Sequence, residues 1–195
     1  MQTTLNKIKS YQPCGIQNPE DIQEGWGKLL HHLGKTEAND DALDLRTISE
    51  SNGVLDTIWA MRAVDDSETQ ILGFVLDCFE IGSPSFQHFF GLENTNAAFT
   101  SLDNFLVDNS ETNREQLIAA FRKMDSSRAF DYLLELETER QKINLVRWAG
   151  SSAYFFSRIA INCLTKSSVR RGENDFNKAR LEAISVIEPI LNKYI

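Results

Sequence analysis

Glu37, Asp40, Asp41 and Asp44 form the densest group of carboxylates in the chain. Residues three apart share a face of a helical turn, which sets Asp41 beside Asp44 at a helix entry. A group of this kind can hold a hard cation, work as an acid/base pair, or present negative charge to a basic partner. The D-x-D/N-x-D/N-G order of a calcium loop is missing, and carboxylates are too plentiful here for any pair to stand out as acid and base. Two readings remain: carboxylates that suit the positive end of a helix dipole, and a patch read by something basic. Glu37, Asp40, Asp41 and Asp44 are therefore the candidate partner-binding residues.

Other reactive side chains are scattered. Cys14, Cys78 and Cys163 are an odd number at wide separations, which fits neither a disulfide framework nor a zinc spacing. Cys78 and Cys163 sit in apolar helical stretches and read as small core residues, while Cys14 lies in a turn between Pro13 and Gly15. His31 and His32 are adjacent, so they diverge by about 100° on a helix and do not grip one metal; His88 stands alone. No glycine run has phosphate-loop or dinucleotide form, and neither a G-x-S-x-G elbow nor an H-E-x-x-H helix occurs. Trp26, Trp59 and Trp148 fall on apolar faces and read as core. No catalytic residue, metal ligand or cofactor is assigned, and the expectation is a protein without enzymatic activity.

At 195 residues the chain is long enough for one domain or two closely packed halves, and its 42% hydrophobic and 25% charged residues exclude disorder. No apolar run approaches membrane-spanning length, and the start MQTTLNKIKS lacks a secretory core, so a cytoplasmic protein is expected. The net charge of −8 is unevenly spread. Residues 1–110 hold 17 acidic and 6 basic side chains, a net of −11; residues 111–195 hold 11 acidic and 14 basic, a net of +3. A strongly negative half repels phosphate backbones, which argues against duplex binding there and suits docking to a basic protein surface. Lys166, Arg170 and Arg171 are too few to make a nucleic-acid footprint.

The elements that must position these residues are helical. NPEDIQEGWGKLLHHLG predicts a helix capped by Asn18, with Pro19, Glu20 and Asp21 in its first turn, a stop at Gly34, and Ile22, Trp26, Leu29, Leu30 and Leu33 on one face. After KTEANDDA, a short helix from about Asp44 carries Leu45 and Ile48 and stops at Asn52-Gly53. The next begins almost at once, and its apolar residues, Val54 to Val64, cover most of its circumference. Asp66 or Ser67 caps a fourth helix predicted to end near Gly82, with Ser83-Pro84 opening a brief aromatic turn closed by Gly91. Phe99, Leu102, Phe105 and Leu106 mark a sixth helix from about Thr95, and Thr112 with Glu115 has capping-box form for a seventh.

Beyond Asp125 the periodicity runs to about Thr165, and a break is expected at residues 137–142 rather than at Gly150-Ser151-Ser152. INLVRWAGSSAYFFSRIAINCL is apolar nearly all round apart from Arg147 and Arg158, the pattern of a central helix that others wrap. A last helix from about Asn174 aligns Phe176, Ala179, Ala183, Ile187, Ile190, Leu191 and Tyr194, with Pro189 expected to kink it or shift its register. Sustained period-two alternation is absent. The predicted fold is an all-α stack of about eight or nine helices, open to helical-repeat-like packing though no fixed period appears.

The stretch LLHHLGKTEANDDALDLRTISESNGVLDTIWAMRAV resembles the immunity proteins carried by bacteria and prophages. Their shared pattern is matched at Leu29, Leu30, His32, Leu33, Gly34, Lys35, Asp40, Asp41, Leu45, Thr47, Ile48, Ser51, Asn52, Gly53, Trp59, Arg62, Ala63 and Val64. CGIQNP upstream and NAAFTSLDNFLVDNSETNREQLIAAF downstream extend the similarity to roughly residues 11–122. The repetitive Ala/Trp/Asp-rich tail common in that family is represented only by fragments such as RWAGSSA. This divides the chain into a family-like acidic part, 1–122, and a divergent helical part, 123–195, packed on it in one domain.

The resemblance implies an all-helical protein that neutralises a toxin or nuclease by binding rather than catalysis, and it carries no catalytic residues. Three other readings stand beside it: an anti-defence protein of anti-CRISPR type that mimics nucleic acid, a homo-oligomeric scaffold packing through Phe86, Phe89 and Phe90, and an enzyme with unrecognised carboxylate chemistry.

Overall fold

Thr4, Asp44 and Asp175 each stand in extended backbone with a side-chain oxygen accepting from an amide of the following turn, and each starts a helix. The computed structural model describes residues 1–124, 145–170, 172–173 and 175–195. The expected break at residues 137–142, Arg171 and Asn174 lie outside the described residues. So do the side chains of Phe86, His88, Phe89, Arg147, Trp148, Cys163 and Arg170.

The described chain is all-α, with nine α-helices and one short ribbon. They are α1 (Leu5–Ser10), α2 (Gly25–His32), α3 (Leu45–Asn52), α4 (Val54–Ala60), α5 (Glu68–Phe90), α6 (Leu92–Val107), α7 (Glu111–Met124), α8 (Leu145–Arg170) and α9 (Phe176–Leu191). A single 3-10 turn, Met61–Ala63, extends α4. β1 (Gln2–Thr3) pairs antiparallel with β2 (Leu43–Asp44) in the register Gln2 to Asp44. Two-residue strands are too short to show an alternation, which is why the pattern did not reveal them.

α8 is the central helix, packed by α4, α5, α9 and the 3-10 turn, as its all-round apolar sequence implies. It runs unbroken through Gly150-Ser151-Ser152, because a Cβ at Gly150 would stand 2.6 Å from the Arg62 backbone: the glycine permits close approach rather than ending the helix. Phe79 of α5 and Phe121 of α7 close on Phe156 of α8 at ring separations of 5.1 and 4.9 Å, the aromatic centre of the core. Cys78 is fully buried and burial pushes its thiol pKa up, consistent with a packing role.

Several elements depart from the sequence pattern. α2 starts at Gly25, not after Asn18, and Ile22 is exposed. Gly25 has φ +56°, outside the helical region, and its Cβ would lie 2.3 Å from the Cys14 carbonyl, so residues 12–24 fold back across the helix start. α5 continues through Ser83-Pro84 to Phe90. Proline removes one amide donor there, but Ile81 and Phe90 both pack on the core and hold the helix on either side. α6 begins at Leu92 and α7 at Glu111, so Thr112 is inside its helix. α9 runs past Pro189 to Leu191, and Phe176, aligned in sequence with the apolar side of this helix, is 56% exposed. No described helix is long and apolar enough to cross a membrane.

Candidate functional site

The fold-back of residues 12–24 sets it against the connector at 35–41, and the two segments flank a groove. Its lining is Ile16, Pro19, Trp26, Leu30 and Ala38, with Lys9, Thr36 and Glu37 as polar members, and its volume is about 390 Å³. The fold-back is held by main-chain bonds: Trp26 N donates to Cys14 O at 2.8 Å, and turns close from Ile16 N to Pro13 O and from Asn18 N to Gly15 O. Gly27 completes the fit, since a Cβ there would lie 2.1 Å from Asp21 O and 2.6 Å from Pro19 O.

The four sequence-predicted carboxylates meet different fates along this face. Glu37 and Asp40 are exposed and have no ion-pair partner among the described residues. Asp41 accepts from Lys35 Nζ at 2.8 Å and from Asn39 Nδ2; the lysine holds its carboxyl below the ordinary carboxylate range. Asp44 is half-buried in β2 and caps α3 through Arg46 N at 2.9 Å. Glu20, read from sequence as part of a helix's first turn, and Glu24 instead stand exposed on the fold-back without ion-pair partners among the described residues. The exposed acidic residues are therefore Glu20 and Glu24 on the fold-back and Glu37 and Asp40 on the connector, of which Glu37 lines the groove itself. Among the described residues, no three His, Cys, Asp or Glu side chains converge as a metal site.

A second, smaller cavity of about 60 Å³ lies beneath the fold-back, walled by Trp26, Leu29, Ile48, Trp59 and Tyr154, with Cys14, Asn52 and Asp56 among its lining residues. Asn52 Nδ2 donates to Gly25 O at 2.7 Å and to Asp56 Oδ2 at 2.9 Å. The Arg62 guanidinium stacks on the Trp59 ring at 4.6 Å, and its Nε donates to Trp59 O at 2.8 Å. Cys14 is exposed, and no histidine is among the described residues that line this cavity. Asn52 and Asp56 were not singled out from the sequence as site residues; the SNG turn was legible only as a helix stop. His31 and His32 are exposed at the far end of α2, and Trp26 is buried as expected while Trp59 is half-buried.

No protein-family model matches this chain, and neither the curated proteins nor the solved structures contain a match.

Proposed function

We propose that the protein is a non-catalytic inhibitor of immunity type, which blocks a basic surface of a toxin or nuclease with the acidic face formed by residues 12–24 and 35–41. One observation carries the reading: Glu20, Glu24, Glu37 and Asp40 are exposed and without ion-pair partners among the described residues, on the two segments that border the groove. Exposed charges of one sign that are not already paired supply steering and register to a protein interface. Within residues 1–110 the surplus of 17 acidic over 6 basic side chains adds a long-range field of the same sign. Asp41 contributes less because Lys35 already faces it, and Asp44 supports the fold rather than the contact.

The test is binding of the intact chain to purified, strongly basic ribonuclease and deoxyribonuclease toxins, measured at low and high salt. Inhibition of at least one should be lost on raising salt, and Glu37→Lys with Asp40→Lys should weaken that binding by about tenfold or more. Affinity unchanged by the double reversal would remove this face from the interface and overturn the proposal.

A further inference from the structure

The basic half of the chain presents a separate concave site. Arg158 and Asn162, one turn apart on α8, meet Phe176 and Arg180 from the first turns of α9, over a floor of Leu55 and Ile161; together they enclose a pocket of about 130 Å³. One water needs ~10–15 Å³ by the same measure, so the pocket admits a polyatomic group. No carboxylate is among its described lining residues. Arg158 and Arg180 are both exposed and neither has a carboxylate partner among the described residues; the only contact described for Arg158 is the Tyr154 ring at 5.6 Å. In a chain with eight more acids than bases, two guanidiniums facing one pocket with no carboxylate among its described lining residues make a locally positive site that suits an anion.

From these observations we infer that the pocket binds a phosphomonoester carrying a heteroaromatic ring, a ligand of nucleotide class. Two guanidiniums and the Asn162 amide supply forked donors, and their two positive charges match the charge of about −1.5 to −2 on a phosphomonoester at neutral pH, which a single carboxylate does not. Phe176, 56% exposed beside the arginines, offers a ring face on which a base can stack once the phosphoryl group is seated. Leu55 and Ile161 keep water from one side of the ion pair. This site shares no residue with the acidic groove, so its test is independent of the inhibitor reading.

The test titrates the intact chain with inorganic phosphate, with ribose 5-phosphate and with adenosine 5′-monophosphate, following amide shifts by nuclear magnetic resonance. Shifts should centre on Asn162, Phe176 and Arg180, and adenosine monophosphate should bind about tenfold more tightly than ribose 5-phosphate. Arg158→Gln and Arg180→Gln should each weaken all three by about tenfold, Asn162→Asp should abolish binding, and Phe176→Ala should erase only the preference for the base. Since Arg158, Asn162, Phe176 and Arg180 are exposed, these variants keep the fold, which a matching thermal melt verifies. Shifts elsewhere, or affinities untouched by the paired arginine substitutions, overturn the assignment.

Discussion

Asn52 Nδ2 reaches the carbonyl oxygen of Gly25 at 2.7 Å, bonding the end of α3 to the start of α2. The same amide donates to Asp56 Oδ2, and Ser51 Oγ donates to Asn52 Oδ1, so the one side chain links the fold-back, α3 and α4. The groove's geometry depends on this junction, because Gly25 is where residues 12–24 cross α2. Asn52→Ala leaves the Gly25 carbonyl without this partner and is expected to cost about 1–3 kcal/mol. Denaturant unfolding checks it: the midpoint should fall with unchanged slope, and a midpoint equal to the parent's would show that the junction is held by other contacts.

Gly150 and Gly34 separate two glycine roles. At Gly150 a Cβ meets the Arg62 backbone at 2.6 Å, so Gly150→Ala must push α8 away from the 3-10 turn, at a cost of about 1–3 kcal/mol or more. Gly34 has φ +63° and open space around it, and Gly34→Ala should cost about 1 kcal/mol from backbone conformation alone. Calorimetric melting of both variants orders them; a milder effect at Gly150 than at Gly34 would contradict the close packing.

Much of the fold was legible where its causes are local. Asp44, Leu45, Ile48 and Asn52-Gly53 hold the cap, face and stop of α3 within ten residues, and the structure follows them. The apolar circumference of α8 likewise predicted its central place. The start of α2 was not legible, because the positive φ of Gly25 answers to the carbonyl of Cys14 in another segment. Pro84 misled for the same reason: a local breaker was overruled by the core packing of Ile81 and Phe90. Of the four proposed carboxylates, sequence spacing marked the region, but only the fold separates exposed Glu37 and Asp40 from Lys35-bound Asp41 and the cap Asp44. Arg158 and Arg180 come together only through the packing of α8 on α9.

The C-terminus should confer an alkaline dependence on stability. Tyr194 Oη donates to Asp77 Oδ2 at 3.1 Å, and Lys193 Nζ meets the same oxygen at 3.3 Å. Burial, reinforced by the charge of Asp77, raises the Tyr194 hydroxyl to about 12, against about 10 in an unfolded chain. A pKa raised on folding stabilises fully below the unfolded value and is lost as pH climbs through the folded one. The Tyr194 contribution is thus intact below about pH 10 and disappears towards pH 12. Tyr194→Phe should be less stable than the parent at neutral pH, and the gap between their denaturant midpoints should close across that window. Parallel curves would refute the linkage.

Asp44 and the Glu37–Asp40 pair predict opposite phenotypes. Asp44→Ala removes the oxygen that accepts from Arg46 N, so α3 loses its cap at about 1 kcal/mol, while the exposed face keeps its charges. Glu37→Lys and Asp40→Lys touch no hydrogen bond or ion pair described in the structure, so their effect on unfolding should stay within about 0.5 kcal/mol. If the acidic face contacts a basic partner, association should slow in the reversed variants and their salt dependence should flatten, because rim charges act on encounter more than on dissociation. Asp44→Ala should leave both quantities unchanged once the folded fraction is corrected for. Stopped-flow association at varied salt, paired with unfolding curves, measures both axes. A loss of affinity in Asp44→Ala matching that of the reversals would mean that the cap lies in the interface, and the division of these four carboxylates would have to be redrawn.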